Sequence, residues 1–328
     1  MSTSPQTDYS QEVRFAVVMY GGVSLAIYIN GVAQELLHLV RATAQVGEDA
    51  NKNGLALPFE ELGGTERVYR KLSYLLAEKD PTSKTDSSES IAKSGEHARS
   101  DANVRTRFVV DIISGTSAGG INGIFLAKAL ANAQSLRPIE QLWIREGEIK
   151  RLLNDKGSHE SPLEKQDPPV SLLNSQRMYL ELLKAFDGMD RPDEAGETGH
   201  EQSAKSKEQN KETRSYVDEL DLFVTTTDLA GVTLPIRLAD DVVYERRHRN
   251  VLHFIYSKAE VSGEAEDRND LEAKNNPFLA FAARSTSAFP FAFEPMALCD
   301  ADSILKQFGS YAGDPKSLSG SEQWQRFY

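Results

Sequence analysis

A glycine-x-serine-x-glycine motif follows a run of apolar residues, and these residue types at this spacing suit nucleophilic attack on a carbonyl carbon. The motif consists of Gly115, Thr116, Ser117, Ala118 and Gly119. Glycine costs a strand backbone entropy and gives it no side chain to bury, so packing alone does not explain two glycines here. Between a strand and a helix the motif predicts a nucleophile elbow, in which a strained serine lifts its hydroxyl clear of the sheet.

A second glycine pair, Gly21-Gly22, also follows an apolar run and precedes Val23. Its backbone N–H groups could form a concavity for negative charge, although the same glycines would also suit a simple tight turn. A helix starting after Ser117 would add free N–H groups and a partial positive charge. A serine elbow and an N–H pocket on adjacent parallel strands would together form an acyl-transfer site. The spacing of a dinucleotide-binding loop and the Gly-Lys-Ser/Thr of a P-loop are both missing.

Two strand, glycine turn and helix units position these motifs. Residues 13–19 predict a buried strand, and a helix follows from about 24 to 42. Residues 107–114 predict a second buried strand, which leads into a helix at 118–133. The alternation predicts an α/β fold, a three-layer sandwich in which a mainly parallel sheet carries helices on both faces.

Further elements are predicted along the chain. They are helices at 66–78, 138–153 and 175–186, a strand at 220–231 with a hairpin after it, and a helix at 275–288. In the last of these, Asn276 is the candidate N-cap, Pro277 occupies the first helical position and Pro290 ends the helix. One face of the helix at 66–78 carries apolar residues, namely Val68, Leu72, Leu75 and Leu76.

The predicted domain organisation is one domain at 13–328 behind a polar tail at 1–12. Two polar stretches, at about 79–104 and 187–215, interrupt the domain. They hold almost no large apolar residues and cannot offset their own ordering entropy, so we interpret them as insertions.

Composition excludes some classes of partner. With 328 residues and 40% apolar content the chain can bury a sizeable core. A formal net charge of −12 argues against nucleic acid and disfavours anionic membranes, although a local basic or apolar patch could still contact lipid. The single cysteine, Cys299, excludes an internal disulfide and fits a reducing compartment.

The N-terminal region predicts a cytoplasmic protein, with peripheral membrane contact left open. The first fourteen residues are polar and lack the apolar core of a signal peptide. Residues 15–34 carry no charge over the length of a transmembrane helix, but Gly21-Gly22 divides them into a strand and a helix. We therefore expect no transmembrane segment.

These motifs together resemble the patatin-like phospholipase family, with most similarity to a bacterial subgroup described only as patatin-related proteins. The resemblance covers about residues 13–300, and the matching segments are 17–32, 111–123, 223–231 and 282–296. It implies a patatin-like α/β sandwich in which Ser117 is the nucleophile and the N–H groups of Gly21, Gly22 and Val23 form the oxyanion hole. It also implies acyl esters of phospholipids or neutral lipids as substrates and no cofactor. The general base of the family is an aspartate in an Asp-Gly-Gly or Asp-Gly-Ala motif.

Two departures from the family pattern affect the expected chemistry. The glycine loop usually carries a basic residue, whereas Ser24 and Leu25 follow Val23 here. More seriously, the chain contains no Asp-Gly-Gly or Asp-Gly-Ala. The only Asp-Gly pair, Asp187-Gly188, lies in a predicted insertion, where a loop could not hold an acid within reach of the serine.

Other candidate bases are two carboxylates, Asp300 and Asp302, which lack the glycine context, and a histidine that would restore a triad. His248 lies in a charged stretch and is expected on a solvated face, whereas His253 is expected half-buried on a strand. Asp228 is interpreted as a turn-forming carboxylate. No metal-ligating cluster is apparent, so no metal site is assigned.

Our hypothesis for the missing motif is that the chain stops early, because its aromatic C-terminal run, 324–328, is typical of a strand that begins there. The leading function is lipid acyl hydrolysis, weak or absent in this chain because its serine lacks a base. The alternatives are an acyltransferase and a non-catalytic module that binds lipid or a partner. That module would use the apolar loop at 289–295, which could equally be core.

Overall fold

A mixed five-stranded sheet organises the fold, and one of its inner strands leads directly into the serine motif. The computed structural model describes residues 11–46, 55–57, 59–77, 106–146, 149–155, 170–191, 215–264 and 266–305. The strands are β1 (Gln11–Met19), β2 (Gln45–Val46), β3 (Leu55–Ala56), β4 (Thr106–Gly115), β5 (Glu219–Arg237), β6 (Val242–Ser257) and β7 (Arg268–Asn269). The main sheet has the order β1-β4-β5-β6-β7, and β2 pairs with β3 separately.

The sheet is parallel in the half that carries the motif and antiparallel in the other half. Strand β4 pairs in parallel with β1 and with β5, whereas the hairpin after β5 adds β6, and then β7, in antiparallel register. The predicted α/β class is confirmed, while the predicted mainly parallel sheet is mixed because of this hairpin.

The helices connect these strands and build one continuous core. They are α1 (Ala26–Thr43), α2 (Gly64–Ala77), α3 (Ala118–Ala131), α4 (Arg137–Glu146), α5 (Ile149–Leu152), α6 (Ser175–Asp190), α7 (Ala259–Ser262), α8 (Asn276–Thr286) and α9 (Leu298–Leu305). A 3₁₀ turn at Val23–Leu25 precedes α1.

Helix α3 lies at the centre, and every one of its residues is buried. It packs on the face of the sheet that bears Met19, Ile113 and Leu222, between α1 and α8. A helix buried all round needs no amphipathic pattern, which explains its uniformly apolar sequence. On the opposite face Val18 and Ile112 are 61% and 44% exposed, and no helix covers them among the described residues.

The predicted strands and helices are largely confirmed, with changes at their ends. The region predicted as one helix at 138–153 is divided between α4 and α5, and the strand predicted to end at 231 runs on to Arg237 through a bulge. Helix α9 was not predicted. Among the described helices none is long and apolar enough to cross a bilayer.

The predicted insertion boundaries need one correction. Residues 187–190 complete α6, so the second polar stretch starts later than 187. The rest of it, at 192–214, and the stretch at 79–104 lie outside the described residues. Strand β1 starts at Gln11, inside the predicted polar tail.

The apolar face that the sequence predicts on α2 is exposed. Val68 on that face is 62% exposed, and the helix instead buries Glu66, Arg70 and Tyr74. Arg70 Nε donates to the Ala42 carbonyl at 2.5 Å, and Glu66 pairs with Arg41 at 2.5 Å. Polar contacts with the end of α1 therefore decide which side of α2 faces inward, and hydrophobic spacing did not reveal them.

The predicted cap of α8 was wrong by one residue. Asn275 is the N-cap and its side chain makes no capping hydrogen bond, whereas Asn276 is already helical. The side-chain amide of Asn276 instead donates to Asp187 at 3.0 Å and to Asp190 at 2.7 Å. This asparagine therefore joins α8 to the end of α6.

A buried lysine network links α3, α6 and α8. Lys128 is fully buried, and its Nζ donates to the Leu271 carbonyl at 3.0 Å and lies 3.1 Å from Asp190 Oδ1. Asp190 also accepts from Gln134 at 2.7 Å. Burial lowers the pKa of the Lys128 ammonium, and the nearby Asp190 carboxylate opposes that shift.

Replacing Asp190 with alanine is expected to lower the free energy of unfolding by about 3 kcal/mol, because it leaves a buried ammonium without its counter-charge. Urea denaturation measures this. The control is Lys274→Ala, which removes an exposed ion pair with Glu272 and should cost less than about 1 kcal/mol. Equal losses in the two variants would contradict the role given to Asp190.

Candidate functional site

Ser117 lies on a sharp turn between β4 and α3. The strand ends at Gly115, the helix begins at Ala118, and Ser117 between them has φ 56° and ψ −126°. A non-glycine residue rarely adopts this conformation, which stores backbone strain of about 1–3 kcal/mol. The local geometry is that of the predicted nucleophile elbow.

Glycines in the motif are required because backbone atoms approach one another there. A Cβ at Gly119 would lie 2.2 Å from the Met19 carbonyl oxygen, and one at Gly115 would lie 2.5 Å from the Gly119 oxygen. Gly120, which the motif does not specify, is equally constrained, since a Cβ there would lie 2.7 Å from Thr286 Cγ2. The turn therefore accepts no side chain at any of these three positions.

The glycine loop after β1 lies against the serine. A Cβ at Gly21 would lie 2.6 Å from Ser117 Cβ and 3.1 Å from Ser117 Oγ. Gly22 has φ 152°, and its carbonyl accepts from the Leu25 N–H at 3.0 Å. Among the described residues the N–H groups of Gly21, Gly22 and Val23 have no hydrogen-bond acceptor. The structure thus brings the two predicted glycine motifs together.

The first turn of α3 also presents N–H groups near the serine. The Gly119 N–H donates to the Thr116 carbonyl at 3.0 Å, and the Ile121 N–H donates to the Ser117 carbonyl at 2.9 Å. The N–H groups of Ala118 and Gly120 find no acceptor within the described part of the chain. The turn beside Ser117 is therefore a region of positive potential.

Three threonines hold the turn in place. The Ser117 N–H donates to Thr286 Oγ1 at 2.9 Å, and the Thr286 hydroxyl donates to the Thr225 carbonyl at 2.8 Å. The hydroxyls of Thr116 and Thr225 share a further hydrogen bond. The end of α8 and strand β5 are thus tied to the serine backbone. Sequence reasoning gave Thr225 and Thr286 no role, because their partners lie far away along the chain: 109 residues separate Thr225 from Thr116, and 169 separate Thr286 from Ser117.

Arg284 fixes the loop that follows α8. It is fully buried, its Nη2 donates to the Glu294 carbonyl at 2.7 Å, and its guanidinium lies 4.4 Å from the centre of the Phe293 ring. Burial lowers the pKa of Arg284 to about 10, so the group remains charged at neutral pH. This cation therefore ties Phe293 and Glu294 back to α8.

None of the predicted aspartate bases is placed beside the serine. In the described part of the chain Ser117 Oγ has no hydrogen-bond partner. Asp187 bonds to Asn276 at the start of α8, whereas Thr286, which contacts Ser117, lies at the other end of this helix. At 1.5 Å per helical residue these two ends are about 15 Å apart, so Asp187 is far from the serine. Asp300 accepts the Ala297 N–H at 2.6 Å at the start of α9.

The other carboxylates have structural contacts. Asp302 lies within α9, which packs on α6 and α8. Asp228 accepts the N–H groups of Ala230 and Gly231 at 2.9 and 3.1 Å, as expected of a turn-forming carboxylate. These hydrogen bonds order the bulge in β5.

Neither described histidine candidate forms a triad with the serine. His253 is half-buried on β6, as predicted, where Nε2 bonds to Asp221 Oδ1 at 2.5 Å and the ring stacks on Phe223 at 4.3 Å. It lies two strands from β4, a lateral distance of about 10 Å. His248 is exposed and bonds to the Asp228 carbonyl at 2.8 Å.

Several apolar side chains on the segments that follow β1 and α8 are exposed to solvent. Five of them form what we call the apolar rim: Tyr20, Ile27, Tyr28, Phe289 and Phe291. Phe291 is 89% exposed and has φ 78°, an unusual conformation for a bulky residue. The loop at 289–295 was interpreted either as a contact surface or as core. Phe289 and Phe291 fit a contact surface, whereas Phe293 packs against the core.

Comparisons with known proteins identify the family of the chain. A family model described as patatin-like phospholipase matches residues 98–303. The chain is 31% identical over 298 residues to a protein named "Uncharacterized membrane protein Rv3479" from Mycobacterium tuberculosis. That alignment covers 90% of this chain and 22% of the relative, so the chain spans less than a quarter of the relative's length. No solved structure matches the chain.

Alanine at Gly119 is expected to destabilise the protein by more than about 3 kcal/mol or to prevent folding, because the Met19 carbonyl leaves no room for a methyl group. The matched control is Gly31→Ala in α1, where nothing lies within 4 Å of the new Cβ. That change should stabilise the helix by up to about 1 kcal/mol. Thermal unfolding compares the two, and similar midpoints would contradict the close approach at the turn.

Replacing Thr286 with valine keeps the shape of the side chain but removes the acceptor of the Ser117 N–H. We expect a loss of about 1 kcal/mol or more in the free energy of unfolding, because a partly buried N–H donor loses its acceptor. Thr286→Ser keeps the hydroxyl and should lose less, and Thr233→Val at an exposed site should change little. Urea denaturation of the three variants measures their free energies of unfolding. Equal losses in Thr286→Val and Thr286→Ser would contradict the role given to the Thr286 hydroxyl.

Proposed function

The chain belongs to the patatin-like phospholipase family, and we propose that it is a lipid acyl hydrolase in which Ser117 is the nucleophile. One observation carries the assignment of the residue. Ser117 is held at φ 56° on a strand-to-helix turn, with the backbone of Gly21 against its side chain. A strained serine beside unpaired N–H groups is the arrangement that acyl transfer requires.

In the proposed reaction Ser117 Oγ attacks the carbonyl carbon of an ester and the carbonyl oxygen becomes an oxyanion. The N–H groups of Gly21, Gly22 and Val23, together with that of Ala118, are the proposed donors to this oxyanion. The intermediate collapses to an acyl-serine and releases the alcohol, which takes up a proton. Water then attacks the acyl-serine, releases the carboxylic acid and returns the proton to Ser117.

The proton of the Ser117 hydroxyl has no acceptor among the described residues. The Ser117 hydroxyl forms no hydrogen bond with Asp187, Asp228 or Asp300, each of which has other partners. His253 is bonded to Asp221. We therefore assign the general base to none of these groups. An unassisted serine is a weak nucleophile, so we propose that this chain hydrolyses esters slowly.

Exposed apolar side chains favour a lipid substrate over a polar one. The apolar rim is exposed on the segments that follow β1 and α8, the two elements whose ends contact the serine turn, and an acyl chain would cover such side chains. The family name and the word "membrane" in the relative's name point in the same direction. We propose a cytoplasmic protein that contacts membranes peripherally. Transfer of the acyl group to an alcohol instead of water would use the same residues.

A second candidate function is a non-catalytic lipid-binding module. It is favoured by one observation, the absence of a hydrogen-bond partner for Ser117 Oγ in the described part of the chain. In this alternative the glycine loop and the rim bind an ester without cleaving it.

The test is the release of p-nitrophenol from an activated ester, whose leaving group needs no proton. The chain should release about one equivalent in a burst and then turn over slowly, while Ser117→Ala should show no burst. Without a base the burst rate should rise about tenfold per pH unit through neutral pH. A plateau above neutral pH would instead reveal a titrating base.

The same assay distinguishes the alternatives. A burst retained in Ser117→Ala would contradict the proposal, because another residue would then be acylated. Phospholipid binding that survives Ser117→Ala, with no burst in the parent chain, would favour the non-catalytic module. Thr233→Ala, at an exposed site on β5, serves as the control that should keep the burst.

A further inference from the structure

Strands β5 and β6 extend beyond the sheet as a two-stranded ribbon. A bulge at 228–231 marks the point of departure, and every residue from 232 to 249 is exposed. We call residues 232–249 the hairpin arm. At about 3.4 Å per residue the β6 side of the arm is roughly 24 Å long. An isolated ribbon of two strands is marginally stable in water, which indicates that the arm meets another surface.

One face of the arm is apolar near its outer part. Cross-strand pairing places Ile236 beside Val243, and Leu234 and Val232 follow on the same face because side chains alternate along a strand. The one carboxylate on this face is Glu245, opposite Leu234. All four apolar side chains are at least 36% exposed. A soluble ribbon would be expected to carry polar residues here, since neither face is covered.

The inner part of the arm is basic. Arg247 lies on the apolar face opposite Val232, and Arg249, two residues further along β6, lies on the same face. Arg246 lies on the other face, where its Nε donates to the Ala230 carbonyl at 2.8 Å. None of these three guanidinium groups is ion-paired with a described carboxylate. Glu245 offsets one of the two arginines on this face, so the inner part of the face keeps a net positive charge in a chain whose net charge is −12.

The arm leaves the sheet at the edge where β4 ends in the serine motif. Strand β5 reaches it directly from Val224, which pairs with Gly115, and from Thr225, whose hydroxyl bonds to Thr116. Anything that the arm binds is therefore held at the same edge of the sheet as Ser117 and the apolar rim.

We propose that the hairpin arm docks the protein on an anionic lipid surface, with its apolar face on the acyl boundary and its arginines on the headgroups. This proposal rests on the proposed function for the choice of lipid as the occupant. Interfacial binding combines buried apolar area with attraction to anionic headgroups, and the arm offers both on one face. The turn carries Asp240 and Asp241, so the arm lies along the surface and does not enter it end-on.

Binding is tested with the Ser117→Ala chain, so that the result does not depend on hydrolysis. Co-sedimentation compares vesicles of phosphatidylcholine with equimolar vesicles of phosphatidylcholine and phosphatidylglycerol. We expect binding to the anionic vesicles that weakens with salt. Arg247→Glu combined with Arg249→Glu should bind them at least about 30-fold more weakly. Ile236→Asp should also weaken binding.

The matched control is Lys71→Glu combined with Arg151→Glu, the same charge change at exposed sites outside the arm, which should bind within about twofold of the parent. Circular dichroism verifies that the variants are folded. The proposal is overturned if both charge variants bind equally, or if the parent does not bind anionic vesicles. It is also overturned if light scattering shows a dimer that Ile236→Asp dissociates, because the arm then joins two copies. The same arm substitutions made in the chain that keeps Ser117 should leave the p-nitrophenyl ester burst equal to that of the unsubstituted chain, which separates a failure of docking from a failure of the proposed chemistry.

Discussion

The structure depends on the close approach of three backbone segments around Ser117. The end of β1, the end of β4 and the start of α3 come so near one another that a methyl group at Gly119 would lie 2.2 Å from the Met19 oxygen. Backbones packed this closely allow the turn only one arrangement, because β1 and β4 cannot shift independently of each other. The same crowding forces Ser117 to φ 56° and places Gly21 against its side chain. Strain of this kind persists only where the surroundings over-determine it.

The rest of the core supplies that support. Helix α3 is buried along its whole length and is anchored at its far end by Lys128, which reaches Asp190 on α6. At its near end Thr286 of α8 accepts the Ser117 N–H and bonds on to β5. One helix therefore connects a buried ion pair at one end to the strained serine at the other. Stability of the core and geometry of the site are two aspects of the same packing.

The sequence predicted what depends on local chemistry and missed what depends on tertiary partners. The glycines around Ser117 were readable because strand, turn and helix follow each other directly along the chain. The buried side of α2 could not be predicted from its apolar spacing. Glu66 and Arg70 face inward because they bond to the end of α1, which is distant along the chain. The contribution of Thr286 was invisible for the same reason, since it is 169 residues from Ser117. The hairpin was predicted, but its length and its exposure were not. Apolar and polar residues alternate along it as they do along a half-buried strand, so the sequence pattern does not distinguish the two.

Fluorophosphonate labelling followed by peptide mapping tests the central claim most directly, because the reagent reports a reactive serine whether or not turnover follows. The chain is incubated until labelling is complete and then digested, and the modified peptide is identified by mass spectrometry. The account predicts one phosphonyl group per chain, on Ser117, and none on Ser117→Ala. A chain that remains unlabelled, or a label on any other residue, would show that the strained turn is a structural feature of the fold and that Ser117 is not a nucleophile.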